Sequence, residues 1–352
     1  MTITSTHLIN LPRKVLIGHD VLKNLGDLCL ELNLAKRLIV VTGDRTLEIA
    51  GRDALNALSS SRLDYDLVVV DEPNASWVDA LANRAREDRP SALIGVGGGS
   101  IIDVAKLAAY RAGVDFISVP TSASHDGIAS PRASVRGLGV YGSVPAQTPI
   151  AIVADTAIIK RAPRRLLVSG CGDVVAKLTA TRDWLLAHRL KGEYYGEYAA
   201  SLARMSARLI MKNAVDLANM SEEGVRVLLE ALVSCGVAMC IAGSSRPCSG
   251  SEHQFSHALD LVANRPALHG EQCGVGTIMM AYLHGLDWQK IRSFLEGLGA
   301  PVNAEGLGAS PNDIVKALTI AHKIRDRYTI LGETGLSEGA AYRLAKVTGV
   351  VE

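Results

Sequence analysis

The chain carries almost no excess of charge of either sign. Its 37 lysines and arginines stand against 36 aspartates and glutamates, a formal balance of +1. That argues against a protein whose main task is to grip nucleic acid or an anionic membrane, since both need a broad basic surface. Long apolar runs are missing too. The longest, Ala231–Gly243, is about 13 residues, too short to span a bilayer, and reads as a buried helix. There is no C-x-x-C pair, no charged tail, no low-complexity linker and no repeat of solenoid period. The six cysteines, most of them in apolar surroundings, read as reduced core thiols of a cytoplasmic protein rather than as a disulfide framework. No signal peptide is visible before Asp20, and the opening segment reads as a strand entering a globular domain.

What is present is a folded, two-domain composition. Hydrophobic residues make up 48% of the 352, which excludes a disordered chain, and the length exceeds one ordinary core. Glycine is in surplus, 33 residues, and must sit where backbone rather than side chain does something.

The first ~160 residues alternate strand and helix patterns at βαβ spacing. Apolar β-branched runs fall at Leu38–Thr42, Leu67–Val70, Ala92–Val96, Phe116–Pro120 and Ile150–Val153. Helical patterns between them fall at Thr46–Leu58, Trp77–Glu87 and Ile101–Arg111. Glycines within Ser134–Val144 suggest a hairpin inserted before the last strand. Beyond Arg161 long helical patterns dominate, such as Tyr194–Leu217 and Glu223–Ile241. The expected fold is an α/β dinucleotide-binding domain with a mostly parallel sheet over residues 1–162. An all-α metal-binding and substrate domain follows over 163–352. Low charge density and buried-looking helices favour a homo-oligomer.

Three segments promise ligands. In Leu93–Asp103 an apolar strand runs into Gly97, Gly98, Gly99 and Ser100, and a helix then opens through Ile101, Ile102 and Asp103. Glycines admit close backbone approach and a helix N-terminus offers free N–H groups, a combination that suits a pyrophosphate. The third glycine of G-x-G-x-x-G is absent, and so is a P-loop lysine. Earlier, Asp44 could accept from an adenosine ribose, or serve only as a helix N-cap, while Arg45 could meet a 2′-phosphate. NAD and NADP both remain open. The loop Val119–Ser130 is dense in small hydroxyls that could bind a cofactor, and its Asp126 could hold a substrate hydroxyl.

The helical half holds the third feature. Asp173 is read as opening a helix behind Gly170 and Gly172, with an N-cap role as the plainer alternative. His253 and His257 stand i,i+4 on one helix face, and His269 begins a glycine-rich segment. Two imidazoles and one carboxylate make a divalent-metal set with an open position, the pattern of a catalytic site. The zincin motif fails, because Gln254 stands at its glutamate position.

Taken in order, G-G-G-S-x-x-D-x-x-K, P-T-S-A-S-x-D-G-x-x-S, S-G-x-G-D-x-x-A-K, G-S-E-H-x-x-S-H-A-L-D and H-G-E-Q-x-G-V-G-T resemble a known superfamily. It is that of metal-dependent dehydrogenases including glycerol dehydrogenase, iron-containing alcohol dehydrogenases and dehydroquinate synthase. The branch most similar is that of archaeal sn-glycerol-1-phosphate dehydrogenases, and the resemblance covers essentially the whole chain. It implies metal ligands at Asp173, His253 and His269, and one divalent metal per chain of the zinc type. It implies NAD(P) contacts at Gly99–Asp103, Thr121, Ser122, Ala123, Ser124 and Ser130. Substrate contacts are implied at Asp126, Asp173 and His257, with Glu271 and Asp260 as partners of the imidazoles. Lys177 stands where the iron-containing enzymes carry a further histidine, so a three-ligand site is expected. The implied reaction is reduction of dihydroxyacetone phosphate to sn-glycerol 1-phosphate, at the start of archaeal ether phospholipid synthesis. Lys106, Arg136, Lys177 and Arg325 are the cations that could meet the substrate phosphate. A polyol dehydrogenase of the same superfamily and a non-catalytic nucleotide-binding sensor are the rival readings. None implies nucleic acid or stable membrane insertion.

Overall fold

A computed structural model describes residues 7–34, 36–139, 142–263 and 266–352. Among the described residues eight strands are formed: β1 Lys14–Gly18, β2 Leu38–Thr42, β3 Tyr65–Val69, β4 Ala92–Gly97, β5 Asp115–Pro120, β6 Arg132–Ala133, β7 Val144–Pro145 and β8 Ala151–Asp155. Six of them make one sheet in the order β1-β8-β5-β4-β2-β3, and every pairing in it is parallel. The short strands β6 and β7 form a separate antiparallel ladder. The expected hairpin is therefore present, although its residues 140 and 141 lie outside the described residues.

The sheet is covered on both faces, which is why its central strands read as unbroken apolar runs. Leu38 and Val40 point into a core with the helices Leu25–Glu31 and Arg52–Ser60. Ile39 and Val41 point the other way, against the helices Ala75–Asp88 and Gly99–Ala112. From β2 the chain steps outward to β3, then returns to lay β4 on the opposite side of β2. That reversal opens a crevice at the carboxyl ends of β2 and β4, the usual ligand position of such sheets.

After Asp155 the described residues contain helices and no further strands. A third core gathers them around the helix Glu222–Ala242. The Ala231–Gly243 run is only the C-terminal part of this 21-residue helix, which by length and composition alone could cross a membrane. Most of it is buried in the protein core instead. All six cysteines are buried free thiols, as expected.

Candidate metal and cofactor site

The glycine turn ends β4 at the sheet's carboxyl edge. Gly98 caps the Gly99–Ala112 helix in extended conformation, and with no side chain to offer it leaves the first N–H groups of that helix uncapped. Thr121 N–H donates to the Gly97 carbonyl at 2.9 Å, so the hydroxyl-rich loop runs alongside the turn. A Cβ at Gly99 would overlap the imidazole of His125, a residue of that loop which sequence reasoning passed over. His125 Nδ1 in turn accepts from the Gly127 N–H at 3.0 Å.

Several expected cofactor residues face inward. The side chains of Ile101, Ile102 and Asp103 are buried. Asp103 Oδ1 accepts from Lys106 Nζ at 3.0 Å and Oδ2 from the Ser134 N–H at 2.8 Å. These three residues can meet a cofactor only through backbone. Ser130 is buried, and Thr121, Ser122 and Ala123 largely so, whereas Ser124 is half-buried. Asp44 is exposed at the end of β2, and the N-cap beside it is Gly43, which corrects the N-cap alternative for Asp44.

The helical half brings the other residues together. Asp173 does not open a helix. It lies near the end of the Arg164–Val175 helix, so both the helix-start reading and its N-cap alternative are corrected. The glycines before it serve contact rather than helix initiation. A Cβ at Gly172 would strike the Gly270 carbonyl, and one at Gly270 would strike the Ser169 carbonyl. Backbone thus meets backbone where this helix crosses His269–Leu283, and that approach carries Asp173 toward the histidines.

His253 Nε2 lies 3.4 Å from Asp173 Oδ1. The His253 and His269 rings are 5.0 Å apart. His253, His269 and Cys273 offer donor atoms that all lie within 4.8 Å of one another. Cys273 was read from sequence only as a core thiol, yet its i,i+4 spacing from His269 puts it on the same helix face. The far nitrogens of both rings are held. His253 Nδ1 pairs with Glu252 Oε1 at 2.8 Å, and His269 Nδ1 with Ser256 Oγ at 3.1 Å. The Nε2 atoms turn the other way, that of His253 toward Asp173 and that of His269 to 3.5 Å from Cys273 Sγ. Two ligands at about 2.1 Å from a tetrahedral ion stand about 3.4 Å apart, so the Asp173–His253 spacing fits a divalent cation.

Glu252, not Glu271, is the carboxylate behind the His253 imidazole. Glu271 forms a two-pronged pair with Arg165 at 2.6 and 2.7 Å and accepts from the Leu268 N–H. Asp260 Oδ1 accepts from Gln272 Nε2 at 3.0 Å. Electrostatics sharpen the set. Burial alone would raise the Asp173 carboxyl, but Lys177 and the imidazoles hold it well below the usual range. Burial, then the neighbouring His253, push His269 down to about 3, so it stands neutral and ready to ligate. His253 is raised well above its usual value despite burial, by Cys273, Asp173 and Glu252.

Of the four cations weighed for substrate, Lys106 and Lys177 are fully buried, and both hold carboxylates inside the protein. Lys177 Nζ bridges Asp126 Oδ2 at 2.8 Å and Asp173 Oδ1 at 2.7 Å, and the Asp126 N–H donates to Asp173 Oδ2 at 2.8 Å. Arg136 is exposed. Arg325 also lies beside the site, its Nη2 3.4 Å from His257 Nε2. His257 itself stacks on His269 at 5.4 Å.

Comparisons with known proteins bear on this arrangement. Residues 16–163 match the iron-containing alcohol dehydrogenase family. The chain is 51% identical over 346 residues to a glycerol-1-phosphate dehydrogenase (NAD(P)+) of Pyrococcus furiosus, covering 98% of this chain and 100% of that one. The Methanosarcina acetivorans protein of the same name is 53% identical over 344 residues, covering 97% and 96%. The chain belongs to the glycerol-1-phosphate dehydrogenase family. Its fold is that of a probable glycerol dehydrogenase from Sinorhizobium meliloti, with TM-score 0.77 at 23% identity over 99% of this chain and 100% of that one.

Proposed function

We propose that the protein is an NAD(P)-dependent oxidoreductase that reduces dihydroxyacetone phosphate to sn-glycerol 1-phosphate, the glycerol unit of archaeal ether phospholipids. The observation that carries this is the meeting of Asp173, His253 and His269 beside the Asp126 loop, in a chain half identical over nearly its whole length to glycerol-1-phosphate dehydrogenases.

Residues 1–162 then form the cofactor half and 163–352 the metal and substrate half. The uncapped N–H groups after Gly98 donate to the cofactor pyrophosphate, and the hydroxyls of Thr121, Ser122, Ser124 and Ser130 line its path. Asp173, His253 and His269 would hold one zinc ion, and Cys273 offers a donor atom within 4.8 Å of both histidines. A divalent cation held there supplies Lewis-acid polarisation of the substrate C2 oxygen. Glu252 and Ser256 fix the two imidazoles for that task. Lys177 keeps the Asp173 carboxylate ionised. Asp126 orients a substrate hydroxyl from its place on Lys177. His257, one helical turn from His253, is set to move a proton to or from the substrate oxygen. The buried free thiols support a reducing, cytoplasmic setting, and exposed Tyr198, Met205 and Val215 support self-association.

Initial rates with dihydroxyacetone phosphate and with dihydroxyacetone, followed by a chiral assay of the product, test the proposal. A strong preference for the phosphate and formation of the sn-1 isomer are expected. Equal efficiency on both ketones points to a polyol dehydrogenase, and the sn-3 isomer overturns the assignment.

A further inference from the structure

Buried cations in this protein have anionic partners as a rule. Lys106 holds Asp103, Lys177 holds Asp126 and Asp173, and Arg246 holds Glu193. An unpaired charge taken out of water is costly, so such pairing is expected. Among the described residues Arg327 also lacks a carboxylate but donates to the Ser249 carbonyl and to the Ser245 hydroxyl, and Arg132 and Arg325 break the rule as well. Both are half-buried, and among the described residues neither makes an ion pair with a carboxylate.

The two guanidinium groups come from opposite halves of the chain and converge on one residue. Arg132 Nε lies 3.2 Å from Ser143 Oγ, and Arg325 Nη2 lies 3.5 Å from the same oxygen. Arg132 also donates to the Ser143 carbonyl, which pins it to the β6–β7 hairpin. The backbone of Gly142, at φ +91, lies so close over the Arg325 guanidinium that a Cβ there would overlap it. Arg325 is held from its own side as well. Gln254 Nε2 donates to the Arg327 carbonyl at 3.2 Å, tying this segment to the helix that carries His253 and His257. Burial, then the neighbouring Arg132, pull Arg325 down to about 10.

We propose that Arg325 and Arg132, with the Ser143 hydroxyl between them, form the subsite for the phosphate of the substrate. The contacts run from ligand His269 to His257 at 5.4 Å and from His257 to Arg325 at 3.4 Å. A three-carbon phosphate ester with its C2 oxygen at the metal set extends its phosphate in that direction. Guanidinium forks match phosphate oxygens two by two, and a dianion supplies the charge that both arginines lack. The inference rests on the proposed substrate and names what selects it.

The test compares Arg325→Gln, Arg325→Lys and Arg132→Lys with the parent on dihydroxyacetone phosphate and on dihydroxyacetone. Inorganic phosphate serves as competitive inhibitor. For Arg325→Gln the KM for the phosphate ester is expected to rise about 10–100-fold, and inhibition by phosphate to weaken in parallel. The lysine variants should fall between, and the loss on dihydroxyacetone should be much smaller than the loss on its phosphate. Equal losses on both ketones, or unchanged inhibition by phosphate in all three folded variants, overturn the subsite. Should Arg325→Gln fail to fold, the two lysine variants decide by the same readings. A parent enzyme inactive on dihydroxyacetone phosphate refutes the proposed substrate instead, and retained inhibition by phosphate then still tests the subsite.

Discussion

Lys177 Nζ sits 2.7 Å from Asp173 Oδ1, with both side chains almost wholly removed from solvent. The ammonium occupies the neighbourhood of a metal ligand and neutralises it before any cation arrives. Replacing it by methionine leaves Asp126 and Asp173 without their shared cation. Lys177→Met should therefore lose about 3–5 kcal/mol of stability in the metal-free protein. Added metal should restore more stability to the variant than it adds to the parent, because it supplies the missing charge. Denaturant unfolding with and without metal measures both. An equal gain in variant and parent would show that Lys177 does not stand in for the ion.

Glu252 is buried, accepts from the Gly250 N–H and from Thr179 Oγ1, and orients His253. Glu252→Gln keeps the shape but loses the charge behind the imidazole. Metal affinity should fall about 10–100-fold with the fold intact. Competition against a chelator reads the affinity, and no change would remove Glu252 from the site.

Loading should depend on pH in a definite direction. His253 is raised well above its free value, so the metal-free protein keeps its proton at neutral pH, whereas His269, near 3, is already neutral. A cation must displace the His253 proton to bind. Affinity should strengthen as pH rises toward that elevated value and weaken as pH falls. Titration calorimetry in two buffers of different ionisation enthalpy should register proton release, and buffer-independent heats would contradict it.

The contact between Gly172 and Gly270 makes a sharp packing prediction. Gly172→Ala drives a methyl into the Gly270 carbonyl and should cost about 1–3 kcal/mol or more, together with metal content. Gly297→Ala, where nothing lies within 4 Å of the added carbon, is the control and should be neutral or slightly stabilising. Metal analysis beside thermal melts separates the two. A fully loaded Gly172→Ala protein would mean that backbone proximity does not set the ligand geometry.

Much of this was legible in the sequence, for physical reasons. Strands buried on both faces leave apolar runs that need no periodicity, so β2, β4 and β5 are found within a residue or so of their expected bounds. His253 and His257 declared themselves by i,i+4 spacing on one helix, and His269 by its place at the start of the next. Asp173 was misplaced because Gly170 and Gly172 look like helix punctuation, while their role is to let another backbone approach. Glu252 and Glu271 were exchanged because adjacency in sequence does not say which carboxylate turns toward a ring. Cys273 was hidden among five other buried cysteines. The pairing of Arg132 with Arg325 joins segments far apart in the chain, and no local pattern announces it.

The edge strand β1 has a bearing on how the protein is made. Lys14 pairs with Ala151 and Gly18 with Asp155, so the sheet's first strand in sequence is matched to its last. At about 5–20 residues per second it waits on the order of ten seconds without a partner. During that interval β2 to β5 can already associate, and β1 remains an open edge available to other nascent chains. Closure by β8 completes the sheet and pairs one side of β1, whose other side remains the outer edge of the sheet.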